Sequence, residues 1–447
     1  MIQIRIRTAL AAGAIAFSVA ASARPAAAQQ PARTNPAGTD PAGTNPAGTT
    51  LEAGLRIADR YRVAAITARR FSQADLWRAI GPSVGKAPFR VEEAGRSIQG
   101  REIRAVHFGD GPTTVLLWSQ MHGDESTATM ALADIFRFLA EAADDPLRER
   151  IRRNLRVTFV PMLNPDGAQL FQRENAAGID VNRDGRQQAS PEARALKGLR
   201  DRIQPRFGFN LHDQNARTRV GPAGRQAAIA LLAPAHDSTR GYDEVRGRAR
   251  LVAAVMARML ADSIPGRVGK YDDTFNPRAF GDLMQQWGTS TVLIESGALQ
   301  GDPQKQRLRA LNVAIILGAL DAIASRGYEA ADTASYESLP ENAGGANDLV
   351  IVGGRLVLPG KPPIRADIAI NFEDGAARAG GRVREVGDLR GVAAIDTVDA
   401  TGLFLHPSAA ALTTKEGGTW LRIGAEAELD IRRTAEPASE LVRRIGP

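Results

Sequence analysis

Four short apolar runs, residues 115–118, 157–162, 207–211 and 291–294, recur through the middle of this 447-residue chain and alternate with helical patterns. Leu132, Ile135, Phe136 and Leu139 fall at helical spacing between the first two runs, and Leu251, Val255 and Leu260 between the last two. Such alternation predicts an α/β fold, a mostly parallel sheet covered by helices. Open sheets of that class bind ligands at the C-terminal edge of their strands. The residues with chemistry to offer stand there: His122 and Glu125 after the first run, Asn164 after the second, His212 after the third and Glu295 after the fourth.

His122-Gly123-Asp124-Glu125 places an imidazole and a carboxylate three residues apart, where both can reach one zinc ion. These ligand types suit Zn²⁺, and a site with three protein ligands leaves a fourth position open. His107, His236 and His406 have no acidic companion in a comparable setting, whereas His212, in Phe209-Asn210-Leu211-His212-Asp213, again ends an apolar run. His212 is therefore the candidate third ligand. There is no cysteine, so neither disulfides nor thiolate metal sites can form.

Further motifs follow in a set order: Asn164-Pro165-Asp166-Gly167, Arg173, Gly178-Ile179-Asp180-Val181-Asn182-Arg183-Asp184, His212 and Leu293-Ile294-Glu295-Ser296. The order resembles the zinc carboxypeptidase family over about residues 90–320, and carboxypeptidase A is itself a known His₂Glu zinc site. The resemblance implies a mixed, mostly parallel sheet with helices on both faces and one zinc per chain, held by His122, Glu125 and His212. It implies that Asp180 supports His122, since a metal-bound imidazole usually gives its other N–H to a carboxylate. Glu295 becomes the general base and acid of peptide hydrolysis. Asn182 and Arg183 match the pair that binds the substrate's free C-terminal carboxylate, and a guanidinium suits that task because it forms two parallel hydrogen bonds. Arg173 matches the arginine that polarises the scissile carbonyl. The family's mobile tyrosine falls to Tyr271 rather than Tyr242.

The first residues read as a secretory signal: Arg5 and Arg7, an apolar stretch over residues 10–21, and small residues at Ala26, Ala27 and Ala28. Cleavage there lowers the formal charge from +7 to +4, because residues 1–28 hold Arg5, Arg7 and Arg24 and no acid. No other segment is long and apolar enough for a membrane span. A secreted or periplasmic protein is expected. No basic stripe interleaved with aromatics is present, so nucleic acid is not an expected partner.

Residues 29–50 contain a five-residue repeat, with Asn35, Asp40 and Asn45 each followed by Pro-Ala-Gly-Thr, and read as a linker. Residues 51–328 are the expected catalytic domain, 329–347 a second linker, and 348–447 an accessory β-sandwich-like domain. The last has short strand candidates at 349–358, 366–371, 393–398 and 420–423, and it resembles the β-domain that flanks amidohydrolase barrels. No candidate site residue falls in it, so it is expected to be dispensable for chemistry.

The resulting expectation is a zinc metallocarboxypeptidase acting on peptides, with peptidoglycan a candidate substrate. Two alternatives stand beside it: a zinc-dependent deacylase of N-acyl amino acids, resembling aspartoacylase, and a catalytically silent wall-binding protein. Residues 272–284 should set the terminal side chain accepted. Arg278, the one cation there, would favour an acidic or diaminopimelate-like residue; Asp272, Asp273 or Asp282 would favour a basic one, and Phe275 or Phe280 an apolar one. The acidic or diaminopimelate-like class is the expectation, because an extracytoplasmic location puts wall peptides within reach.

Overall fold

The computed structural model of the chain describes residues 48–415 and 417–446. The expected signal, residues 1–28, and residues 29–47 of the expected repeat linker lie outside the described residues. Among the described residues no helix is long and apolar enough to cross a membrane.

The strands that place the site are β1 (Arg90–Arg96), β2 (Glu102–Phe108), β3 (Thr113–Ser119), β4 (Leu155–Val160), β5 (Phe207–Asp213), β6 (Arg219–Val220), β7 (Ile229–Leu232), β8 (Val268–Lys270) and β9 (Ser290–Ser296). All but β6 form one eight-stranded sheet in the order β1-β2-β4-β3-β5-β9-β7-β8. The four central strands β4, β3, β5 and β9 run parallel. β2 joins β4, and β7 joins β9, in the antiparallel sense. The sheet is thus mixed and mostly parallel, as the alternating pattern predicts.

Near-continuous apolar runs are what strands buried on both faces require. On β3, Val115 and Leu117 point into one core and Leu116 and Trp118 into the other. The helices Thr127–Glu141, Glu244–Leu260 and Gln306–Ala324 supply the first core, and Pro191–Ile203 with Phe280–Gln286 the second. The Gln306–Ala324 helix is buried along almost its whole length, so its one buried cation needs a partner. Arg309 has one: its Nε donates to Asp134 Oδ2 at 2.7 Å, and both side chains are fully enclosed.

Beyond residue 346 the chain is sheet-rich. Strands Ala379–Gly387, Asp367–Asp374, Asn347–Val352 and Ala394–Asp399 form one sheet, and a five-stranded sheet follows. Leu349, Ile351, Ile368 and Ile370 share a core with Leu405, Leu429 and Ile431 from the second sheet. This region is bound to the α/β part by charge. Arg217 Nη1 donates to the buried Asp348 at 3.1 Å, and Arg69 pairs with Asp374.

Residues 329–347, whose composition suggests a linker, are packed. Tyr336 is fully buried and its hydroxyl accepts the Ala233 N–H at 3.1 Å. Farther on, Asn342 and Ala343 pair antiparallel with β6, and the Lys270 N–H donates to Pro340 O at 2.8 Å. Small and polar residues here serve backbone pairing rather than slack.

Candidate functional site

The chain leaves β3 at Ser119 and turns at Gln120, which takes the left-handed conformation (φ 51°). The turn throws His122 and Glu125 over the sheet edge. Asn164 fixes its shape: its Oδ1 accepts the Gly167 N–H at 2.8 Å, capping a short helix, while its Nδ2 donates to the carbonyls of Met121 (3.2 Å) and Arg173 (3.3 Å). Gly123 presses on the backbone of Gly167, leaving no space for a Cβ. The Asn164–Gly167 motif is therefore scaffolding for the His122 loop.

Glu125 stands between two imidazoles. Its Oε1 lies 2.8 Å from His122 Nδ1 and its Oε2 2.6 Å from His212 Nδ1. The ligand atoms of these three buried residues all fall within 4.8 Å of one another. On the far side of its ring, His122 Nε2 meets Asp180 Oδ1 at 3.0 Å. Carboxylates on both edges of one imidazole favour its protonated form. Burial opposes this, yet the Glu125 charge and the Asp180 hydrogen bond prevail, and His122 is pushed up to about 9. Burial acts to raise Glu125 too, but the two imidazoles hold its carboxyl well below the usual range.

A divalent ion satisfies this donor set better than protons do. The Nε2–H of His122 stays with Asp180, freeing the Nδ1 lone pair, as outer carboxylates do for metal-bound histidines. His122, Glu125 and His212 thus fit a zinc site, two nitrogens and one carboxylate with an open position.

Register brings in the other groups. His212 on β5 lies directly beside Glu295 on β9 in the parallel ladder. Alternation puts Phe209, Leu211, Val292 and Ile294 in the core below, so His212 and Glu295 face the opposite side. Burial, joined by the Glu125 charge, raises the Glu295 carboxyl well above its usual value. Both residues line a cavity of about 500 Å³, as do Arg173, Asn182, Arg183 and Tyr271.

Arg173 is tethered there. Its Nε and Nη2 donate to Asp180 Oδ2 at 3.1 and 2.9 Å, and its Nη1 lies 3.3 Å from Glu125 Oε1. Asn182 Oδ1 accepts the Phe280 N–H at 2.9 Å, and its Nδ2 sits 3.4 Å from His212 Nε2. The Arg183 side chain hydrogen-bonds only the Asn182 carbonyl, at 3.1 Å, and enters no ion pair among the described residues. Its charge is free for an anion. The Glu295 charge, then burial, pushes the Tyr271 phenol up to about 12, so it stays a proton donor. Tyr242 instead donates to Glu337 at 2.8 Å.

One expectation fails. Arg278 is exposed and does not line the cavity, because the turn before the Phe280–Gln286 helix points it outward; its backbone carbonyl accepts the Gly185 N–H at 3.1 Å. Asp282 lines the cavity instead, accepting the Asn276 N–H at 2.9 Å, and burial lifts its carboxyl to about 6. Asn210 was missed, although it precedes His212 by two residues on the same strand face. Also missed was a buried pair behind the site: Lys305 Nζ donates to Asp213 Oδ2 at 2.9 Å, and Thr127 Oγ1 donates to the same oxygen at 2.7 Å.

Residues 86–215 match the family model described as zinc carboxypeptidase. Probable carboxypeptidase 2 of Arthroderma benhamiae is 28% identical over 159 residues, covering 34% of this chain and 29% of that protein. The human carboxypeptidase N catalytic chain is 28% identical over 144 residues, covering 27% of this chain and 31% of that protein. The chain thus spans under a third of the length of either relative. Among solved structures, a metallo-carboxypeptidase from Burkholderia cenocepacia is 17% identical with a TM-score of 0.47, covering 57% of this chain and 70% of the other. Carboxypeptidase A from Helicoverpa armigera is 15% identical with a TM-score of 0.46, covering 63% and 82%.

Proposed function

We infer that this chain, whose residues 86–215 match the zinc carboxypeptidase family model, is a zinc-dependent metallocarboxypeptidase that removes the C-terminal residue of a peptide. One observation carries the reading: three convergent metal ligands, a buried carboxylate and an unpaired guanidinium open into a single cavity.

Bound zinc supplies a Lewis acid that polarises a carbonyl and acidifies water. The chain's own residues do the rest. Arg183 takes the terminal carboxylate in two parallel hydrogen bonds, beside Asn182. Glu295 accepts a proton from the attacking water and returns it to the leaving nitrogen, a task suited to a carboxyl whose pKa burial has raised. Arg173, held by Asp180 and Glu125, presents its charge beside the scissile carbonyl, and Tyr271 closes over the substrate as a neutral donor.

Asp282 decides the side chain. It is the partly buried carboxylate of the wall that also carries Gly281 and Asn210, so a terminal lysine or arginine is favoured over an acidic residue. The signal-like N-terminus supports a secreted or periplasmic location, where wall peptides ending in a basic or diamino acid come within reach.

Incubating the zinc-loaded protein with a mixed peptide set and muropeptides, and reading terminal losses by mass spectrometry, tests this. Release of lysine or arginine that stops with a chelator and returns with zinc is expected. Turnover of N-acyl amino acids with no release of any C-terminal residue would sink the peptidase reading in favour of a deacylase.

A further inference from the structure

A second cavity, of about 160 Å³, lies between the α/β part and the C-terminal sheets. Residues 225–226, 267 and 298–301 line it from one side, and residues 348, 375–376, 378 and 395–396 from the other. Three of these are arginines on separate segments. Arg225 follows β6, Arg267 precedes β8, and Arg378 stands in the turn between strands Asp367–Asp374 and Ala379–Gly387. Arg267 Nη1 donates to Gln226 O at 3.2 Å. Arg378 takes the left-handed conformation (φ 55°) and lies against Phe372, with its Cζ 4.9 Å from the ring centroid.

The charges in this cavity do not balance. Asp348 is taken by Arg217 Nη1 at 3.1 Å and by the Phe372 N–H at 2.7 Å, and Asp396 accepts from Arg378 Nη2 at 3.4 Å. Arg225 and Arg267 are left with no ion pair among the described residues. Burial, then the charges of Arg225 and Arg307, hold the half-buried Arg267 below its usual pKa, and no carboxylate offsets them. Like charges gathered in a cleft repel one another and concentrate counter-ions there.

We propose that Arg225, Arg267 and Arg378 form a binding site for one doubly charged oxyanion of the sulfate or phosphate class, which ties the α/β part to the C-terminal sheets. Guanidinium forks suit such oxygens, because they present paired N–H donors. A dianion cancels the two unpaired charges, which a chloride ion does not. Every residue of the site lies outside the metal cavity, so the inference stands apart from the carboxypeptidase reading.

Hydrogen exchange of the zinc-loaded full chain, with and without sodium sulfate at an ionic strength held constant with sodium chloride, tests it. Amides of residues 298–301 and 375–378 should slow together as sulfate rises. In Arg225→Gln and in Arg267→Gln, the same slowing should need about ten-fold more sulfate, as expected for one lost hydrogen bond between charged groups. Neither segment borders the metal cavity, so sulfate held by Arg183 does not mimic this result. Arg225→Gln also removes a charge without breaking a hydrogen bond or ion pair among the described residues. Without sulfate it should melt at or above the parent, whereas an arginine that merely pins the junction would lower the melting temperature when removed. The site is overturned if chloride alone slows the two segments equally, if only one of them slows, or if either variant responds to the same sulfate as the parent.

Discussion

The metal edge and the C-terminal sheets use side chains in opposite ways. At the metal edge, burial is spent on charge: His122, Glu125, His212 and Glu295 are all enclosed, and the pKa of each is shifted from its ordinary value. In the C-terminal sheets burial is spent on aliphatic packing, with Leu349, Ile351, Ile370, Leu405 and Ile431 forming the core. Among the described residues the one group able to hold a metal is His122, Glu125 and His212. Chemistry should therefore follow substitutions at the edge steeply and substitutions in the sheets barely.

The largest effect is expected at Glu295. Glu295→Gln should keep zinc and lose about 10²–10⁴ in kcat, because only the proton carrier is removed. His122→Ala or His212→Ala should lose the metal itself, read by elemental analysis. A zinc-loaded Glu295→Gln enzyme with parental turnover would remove the contrast's central term.

Next comes the support of the ligands. Asp180→Asn should weaken zinc binding about 10–100-fold, since it removes the charge, and one of the two acceptor oxygens, that the His122 Nε2–H and Arg173 share. The pH dependence has a definite sign. His122 holds a proton up to about 9 in the metal-free site, and zinc must displace it. Zinc affinity should climb about ten-fold per pH unit below that value and level off above it. A flat profile in a chelator competition would mean that His122 is not a ligand.

Much of this was legible in sequence, and the losses have physical causes. The runs at 115–118, 207–211 and 291–294 lie inside β3, β5 and β9, because strands buried on both faces must read apolar. The run at 157–162 overshoots, since β4 ends at Val160, before Pro161. Ligand identity was readable because His122 and Glu125 share one turn. The alignment of His212 with Glu295 was not, because strand register depends on the packing of the whole sheet. Arg278 misled because a loop's side-chain direction leaves no periodic trace. Residues 329–347 misled because Gly, Pro and Asn serve pairing against β6 as readily as they serve a flexible tether.

A smaller effect concerns selectivity. Asp282 is charged above about 6 and neutral below, so preference for a terminal lysine over phenylalanine should be strong at pH 8 and fade toward pH 5. Asp282→Asn should abolish it at every pH, costing about ten-fold in kcat/KM for the lysine substrate. An unchanged preference would move the selecting group elsewhere in the cavity.

The smallest effect on chemistry is expected at the junction. Arg217 is partly exposed and Asp348 is buried; the Phe372 N–H also donates to Asp348, at 2.7 Å. Removing the guanidinium in Arg217→Ala leaves that carboxylate one charged partner short. The loss should be about 1 kcal/mol, the exposed half of the pair being screened by water, visible as a lower urea midpoint. Yet Arg217 sits on the loop that also carries Gln214, Asn215 and Thr218 to the cavity, so this position probes whether the two regions are energetically separate. Their own backbone bonds hold that loop: the Gln214 N–H donates to Ser296 O at 3.0 Å and the Ala227 N–H to Thr218 O at 2.9 Å. With those intact, kcat on a blocked dipeptide should stay within about two-fold of the parent. A larger fall in a variant that remains folded would show that the C-terminal sheets position the catalytic cavity, and the division between a charged edge and an inert apolar region would no longer hold.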